Sequence, residues 1–217
     1  MNPELQKRLK PYSGFPVDKE TYLRPSPPTQ ICLHFTASGP GEIGDITWWE
    51  RDGQPVSTPI IVGRDGTAVQ LYSSTRCAYS LGLNHWKRKE VEAKTIGLEI
   101  DTWGGLVKRG EKFYAWPNKY TTEVPAEEVC ILDKPHKGNI YYHKFTDEQI
   151  ETVKLLLQHW GATYNIPLTY VGDNAMFNLH NNAMYAFKPG VYSHNSFRSD
   201  KADIHPQPNM VEMLKSL

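Results

Sequence analysis

The apolar positions of this chain fall in short bursts. "ICLHF" at 31–35 is an apolar run broken once, by His34, and reads as a buried strand. In "VSTPIIVGRDGTAVQLY" (56–72) two apolar runs flank Gly-Arg-Asp-Gly, which predicts a hairpin. "TIGLEID" (95–101) is a further strand, with Glu99 as its polar intruder. "EIGDITWWERDG" (42–53) predicts a short helix with Ile46 and Trp49 on one face and an Asp-Gly stop. The clearest helix spans 146–165. Thr146 and Gln149 make a capping box, and Ile150, Val153, Leu157 and Trp160 share one face. "IPLTYV" (166–171) reads as another strand, and "PNMVEMLKSL" (208–217) as a closing helix.

The remaining segments lack such periodicity. Residues 1–28 are polar and end in "RPSPPTQ", which predicts an N-terminal arm, extended before the first strand. Residues 104–145 and 172–189 read as loop-rich insertions that wall a groove, the first with a small hairpin over one end of a sheet. Strands and helices are mixed throughout 29–217. That pattern predicts one α/β domain, a central mixed β-sheet flanked by helices.

Composition narrows the function by exclusion. Lysine plus arginine and aspartate plus glutamate both number 24, so the formal charge is zero and gives no argument for nucleic acid or an anionic membrane. No apolar run is long enough to span a bilayer, and the charged start lacks the apolar stretch of a signal peptide, so a soluble chain without an export signal is expected. Cys32, Cys77 and Cys130 are too few and too widely spaced for a disulfide framework or zinc knuckle, and read as reduced thiols. Six tryptophans and twelve tyrosines fit either a well-packed core or a groove for sugar or peptide.

Candidate chemistry gathers in "GVYSHNSFRSDKADIHPQP" (190–208), which holds two histidines, two aspartates and a lysine. A catalytic zinc site takes three protein ligands and leaves one position for water, with histidine and carboxylate as suitable donors. His194 lies at a strand end, like His34. On their own, His34 reads as a satisfied core histidine and "DKAD" as a solvated charge run. His159 reads as packing or surface, and His85, His136 and His143 as solvated.

The pieces gain meaning in order. "ICLHFTAS", "VSTPIIVGRDGTAVQLY", "TIGLEI", the helix ending "YNIP" and "YSHNSFRSDKAD" together resemble the zinc-dependent N-acetylmuramoyl-L-alanine amidases. That group includes phage lysozyme-type amidases, bacterial muropeptide amidases and animal peptidoglycan recognition proteins, and the resemblance covers roughly residues 30 to 215. It implies that His34, His194 and Asp203 bind Zn2+, with His205 close enough to compete for the third place. It implies Lys201 as oxyanion stabiliser and Glu99 as general base. The substrate implied is peptidoglycan or a soluble muropeptide, cut between N-acetylmuramic acid and L-alanine by a monomer.

There are departures from the family pattern. Thr58 stands where some members carry a catalytic tyrosine, Ser80 in "AYSLG" where a histidine is common, and "IHPQP" follows Asp203 in place of Pro-Gly. The resemblance points to a phage endolysin, held in the host cytoplasm and reaching the wall through holin lesions. A cytosolic recycling amidase, a peptidoglycan-binding module and a stem-peptide metallopeptidase are the alternatives. The binding modules typically lose a zinc ligand, whereas His34, His194 and Asp203 are all present.

Overall fold

The strand at Gln30–Phe35 lies near the middle of the molecule because both of its faces are covered. In the computed structural model, which describes residues 1–115, 121–180 and 187–217, the strands are β1 (Leu9–Pro11), β2 (Tyr22–Leu23), β3 (Gln30–Phe35), β4 (Ile60–Val62), β5 (Ala68–Gln70), β6 (Arg76–Cys77), β7 (Thr95–Ile100), β8 (Leu106–Arg109), β9 (Lys112–Ala115), β10 (Glu123–Val124), β11 (Val129–His136), β12 (Asn139–His143) and β13 (Gly190–Ser193). The helices are α1 (Pro3–Arg8), α2 (Val17–Glu20), α3 (Glu42–Asp52), α4 (Arg88–Lys94), α5 (Asp147–Tyr164), α6 (Asp173–Phe177), α7 (His194–Phe197) and α8 (Pro208–Lys215). A six-stranded mixed sheet runs β1-β5-β4-β7-β3-β13. All its pairings are parallel except β4 with β5, the expected hairpin.

Side-chain alternation builds three layers. Ile31, Leu33, Ile96 and Leu98 face Val153, Leu157 and Trp160 of α5 and Met210 and Met213 of α8. On the opposite face Cys32 and Tyr192 meet Val91 of α4 and Phe197 of α7, while Ile61 meets Ile46 and Trp49 of α3. A strand covered on both sides needs apolar residues at successive positions, which explains the consecutive apolar residues Ile31–Leu33 of β3 and the buried Ile96–Leu98 of β7. The capping box of α5 forms as its sequence predicts. Its Gln149 also donates from Nε2 to the carbonyls of Val62 and Asp101, fixing the helix to the ends of β4 and β7. Among the described residues no helix is long and apolar enough to cross a membrane.

Three expectations need correction. Residues 1–28 are not an extended arm. α1 inserts Leu5 into the main core, Arg8 donates to Thr152 of α5 at 2.9 Å, and β1 adds to the edge of the sheet beside β5. The second correction concerns 166–171, which form no strand. α5 ends at Asn165 in a left-handed turn that bonds Ile166 N–H back to Gly161, and Pro167 has no N–H to offer a ladder. Ile166 and Leu168 still pack on the core. Third, His136 and His143 are buried rather than solvated.

The first insertion is more ordered than a loop with one hairpin. β8, β9 and β10 form a three-stranded antiparallel sheet, and β11 and β12 a hairpin turned by Lys137 and Gly138, both at positive φ. A two-residue turn with both residues left-handed matches the twist of its strands. His143 joins this unit to the main sheet: Nε2 meets Glu128 and Nδ1 meets Thr102, each at 2.9 Å. Parts of the two expected insertions, 116–120 and 181–186, lie outside the described residues.

The end of β7 carries a titrating carboxyl. Burial pushes Asp101 up to about 7; the Gly41 N–H it accepts opposes this, and the Asp45 and Glu42 charges add to it. Between its unfolded value near 4 and its folded value the native state holds a proton that the unfolded chain releases. The stability from that proton is fully present below the lower value and is lost as pH rises through about 7. Urea midpoints measured on the metal-free protein should therefore fall between pH 5 and 8. Asp101→Asn keeps an acceptor for Gly41 and should make the fall shallower; an unchanged slope would show that other groups cause it.

Candidate active site

Parallel strands end together, and this sheet brings its polar intruders to one edge. His34 is the fifth residue of β3 and pairs in register with Glu99 of β7. On the other side Ser193 pairs with Leu33, so His194, the next residue, falls beside His34. Ligand sites in open α/β sheets form at such carboxyl ends of strands. α7 then turns the chain back, and Asn195 holds the returning loop through its N–H to the Asp203 carbonyl and its Nδ2 to the Ile204 carbonyl.

Three ligand atoms converge. His34 Nδ1 lies 3.1 Å from His194 Nδ1 and 3.2 Å from Asp203 Oδ2. His194 Nδ1 lies 2.9 Å from the same oxygen. All three side chains are buried, and they form the one group of histidine, cysteine or acidic residues able to hold a metal ion among the described residues. A tetrahedral zinc with bonds of about 2.0–2.1 Å separates its ligand atoms by roughly 3.3 Å, close to these spacings.

The hydrogen bonding favours an ion at that point. His194 Nε2 lies 2.9 Å from the Leu81 carbonyl, which can only accept, so Nε2 carries the proton. With that proton on Nε2, an uncharged imidazole would present a bare Nδ1 lone pair to the Asp203 carboxylate oxygen. Two such acceptors in contact repel each other unless a cation lies between them. Burial and the neighbouring His194 lower His34 to about 4, so it stays a neutral donor at ordinary pH. Burial would raise Asp203, but hydrogen bonds and positive charge from His194 and His34, when these carry protons toward it, hold it well below the usual carboxylate range. The donor set of two imidazoles and a carboxylate fits zinc.

Glu99 and Lys201 line the same groove, of about 730 Å³. Glu99 Oε2 is buried without a hydrogen-bond partner. Burial and the charges of Asp203 and Asp45 push Glu99 well above the ordinary carboxyl value, against the pull of Lys201. A divalent cation at the histidine pair would oppose that shift. His205 is not part of the ligand group. Its ring is stacked between Tyr142 at 4.5 Å and Phe145 at 4.4 Å, and burial lowers it to about 3. Thr58 is buried with its hydroxyl on the Ile60 carbonyl, away from the groove lining, whereas Ser80 does line the groove.

Several supporting residues escape sequence reading. His136 Nε2–H donates to the Ala202 carbonyl at 3.0 Å, and Lys137 Nζ to Ser199 at 3.2 Å. The β11–β12 hairpin therefore grips the loop that bears Lys201 and Asp203. On the other side Glu92 of α4, fully buried, accepts from Leu81 N–H at 2.9 Å, Ser80 N–H at 3.1 Å and the Ser80 hydroxyl at 3.3 Å. The Leu81 backbone thus lies between Glu92, which accepts its N–H, and His194, which donates to its carbonyl. A glutamate in "KEVEAK" gives no sequence signal for this role, because its partners lie about a dozen residues away in a loop.

The link has a measurable consequence, since outer partners of a ligand typically change metal affinity 10- to 100-fold. Glu92→Ala should weaken zinc binding by about that factor in chelator competition, and Glu92→Gln, which keeps one acceptor oxygen, much less. A fall in Tm with unchanged zinc affinity would show that Glu92 serves the fold alone.

Comparison with known proteins agrees with this geometry. A family model described as N-acetylmuramoyl-L-alanine amidase matches residues 24–208. No curated protein matches the chain. Among solved structures, the Ph2119 endolysin from Thermus scotoductus MAT2119 bacteriophage Ph2119 is 12% identical with a TM-score of 0.52, over 96% of this chain and 99% of that one. A point mutant of PlyL is 16% identical with a TM-score of 0.50, over 97% and 98%. AmiD from E. coli, solved with anhydro-N-acetylmuramic acid-L-Ala-D-γ-Glu-L-Lys, is 17% identical with a TM-score of 0.51, over 93% of this chain and 64% of that one. These structural likenesses show a shared fold, and the match of the family model over 24–208 shows more: the chain belongs to the N-acetylmuramoyl-L-alanine amidase family.

Proposed function

We propose that this chain hydrolyses the amide between the lactyl group of N-acetylmuramic acid and L-alanine, using zinc held by His34, His194 and Asp203. The observation that carries the reading is the convergence of three ligand atoms, two of them histidine Nδ1, on one point in a groove that also holds Glu99 and Lys201. Zinc bound there would polarise the scissile carbonyl and make a water more acidic. Glu99 takes the proton of the attacking water and delivers it to the departing alanine nitrogen. Lys201, with its ammonium in the groove, stabilises the carbonyl oxygen as it becomes anionic. His194 keeps its proton on Nε2 throughout, fixed by Leu81. The products are a muramic carboxylate and a peptide with a free alanine amine.

The substrate follows the AmiD ligand: a muramyl group joined to L-Ala and then to a γ-linked D-Glu. We assign the activity to a monomeric phage endolysin acting on intact wall. The test is release of alanine amino termini from purified peptidoglycan. Zinc-loaded protein should release them and chelated protein should not. Glu99→Gln should cut the rate by roughly 10²–10⁴-fold with zinc still bound, and His194→Ala should lose both rate and zinc. Cleavage of soluble muropeptides but not wall would move the assignment to a recycling amidase. Stoichiometric zinc with no cleavage of either would replace hydrolysis by binding.

A further inference from the structure

The groove lining holds a lysine that the reaction does not use. Its lining holds two lysines, Lys137 and Lys201, and three carboxylates, Glu99, Asp200 and Asp203. Each carboxylate already has a partner or a role in the reaction. Asp203 belongs to the ligand group. Asp200 is bound by both Nε and Nη2 of Arg198, at 3.0 and 2.6 Å. Glu99 is the base of the proposed reaction. Lys137, in contrast, meets no carboxylate among the described residues, and its one contact is the neutral Ser199 carbonyl.

An ammonium has three donors, so two of those on Lys137 are open. The side chain is also pre-positioned. Its backbone is set by the left-handed turn of the β11–β12 hairpin, and the preceding residue, His136, is buried and bonded to Ala202. A cation held in place at a groove wall gives up less entropy on binding than a free surface lysine would. Trp103 and Val107 supply apolar surface to the same groove.

We propose that Lys137 is a specificity-determining residue that receives a free carboxylate of the peptide stem. This rests on the amidase reading. In a substrate of the form muramyl-L-Ala-D-γ-Glu, the γ-linkage leaves the α-carboxylate of glutamate free. It is the first negative charge on the peptide side of the scissile amide. The enzyme then distinguishes stems with a free glutamate α-carboxylate from stems in which that group is a carboxamide, because a neutral amide cannot form the charge-assisted contact.

The test uses two synthetic muramyl peptides that differ only in that group. Zinc-loaded protein should show kcat/KM about tenfold higher for the free acid, the scale of one charge-assisted hydrogen bond. Lys137→Ala should lower the free-acid peptide to the level of the carboxamide, and Lys137→Arg should restore the preference. If Lys137 is only a latch on Ser199, Lys137→Ala lowers both peptides by the same factor, and the proposal is overturned. Equal rates for the two peptides with wild-type protein overturn it as well. Calorimetric binding of both peptides to Glu99→Gln protein separates this from failure of the amidase reading. A binding preference that Lys137→Ala removes supports the carboxylate contact even where no peptide is cut; absence of preference refutes it.

Discussion

Three lone pairs held within about 3 Å of one another are the constraint on which this structure turns. With neither a proton nor a cation between them, two imidazole nitrogens and a carboxylate oxygen at a buried point lose water and repel one another. The fold supplies the force that keeps them together. β3 and β13 are parallel neighbours with both faces packed, so His34 and His194 have no freedom to separate. The Leu81 carbonyl fixes the tautomer of one histidine, and the backbone of the Asp203 loop is tied down by Asn195 and His136. A cation at that point is bound by all three at once, so metal affinity and fold stability are linked.

The inserted segment after β7 works within this arrangement. Its hairpin contributes His136 and Lys137 to the loop of Lys201 and Asp203, while Tyr142 and neighbouring Phe145 enclose His205. Ile-His-Pro follows Asp203, and the stacked His205 anchors that stretch. Histidine here acts as a flat apolar ring. Its burial keeps it neutral, and its position between two aromatic rings removes it from competition for the metal.

Much of the frame was legible in the chain because its signals are local. A capping box, a Gly-Arg-Asp-Gly turn and short apolar runs each report a structure that forms within a few residues. His34 and Glu99 were legible as polar intruders in strands that burial should have made wholly apolar. The failures are long-range. His136 and His143 sit among polar neighbours, and their burial depends on a hairpin folding onto a loop more than sixty residues later and on Thr102 some forty earlier. Residues 166–171 have strand-like composition, but no neighbouring strand offers a ladder. The polar segment 1–28 gave no sign that Leu5 would enter the core or that Leu9–Pro11 would extend the sheet, since both depend on surfaces built by other parts of the chain.

The ligand set is the central claim, and X-ray absorption on zinc-loaded protein examines it most directly. The account predicts a first shell of light donors at about 2.0–2.1 Å, with multiple-scattering features from two imidazoles, and loss of one light donor's order in Asp203→Ala but no change in His205→Ala. A spectrum showing three imidazoles, a sulfur donor near 2.3 Å, or a shell altered by His205→Ala would contradict it.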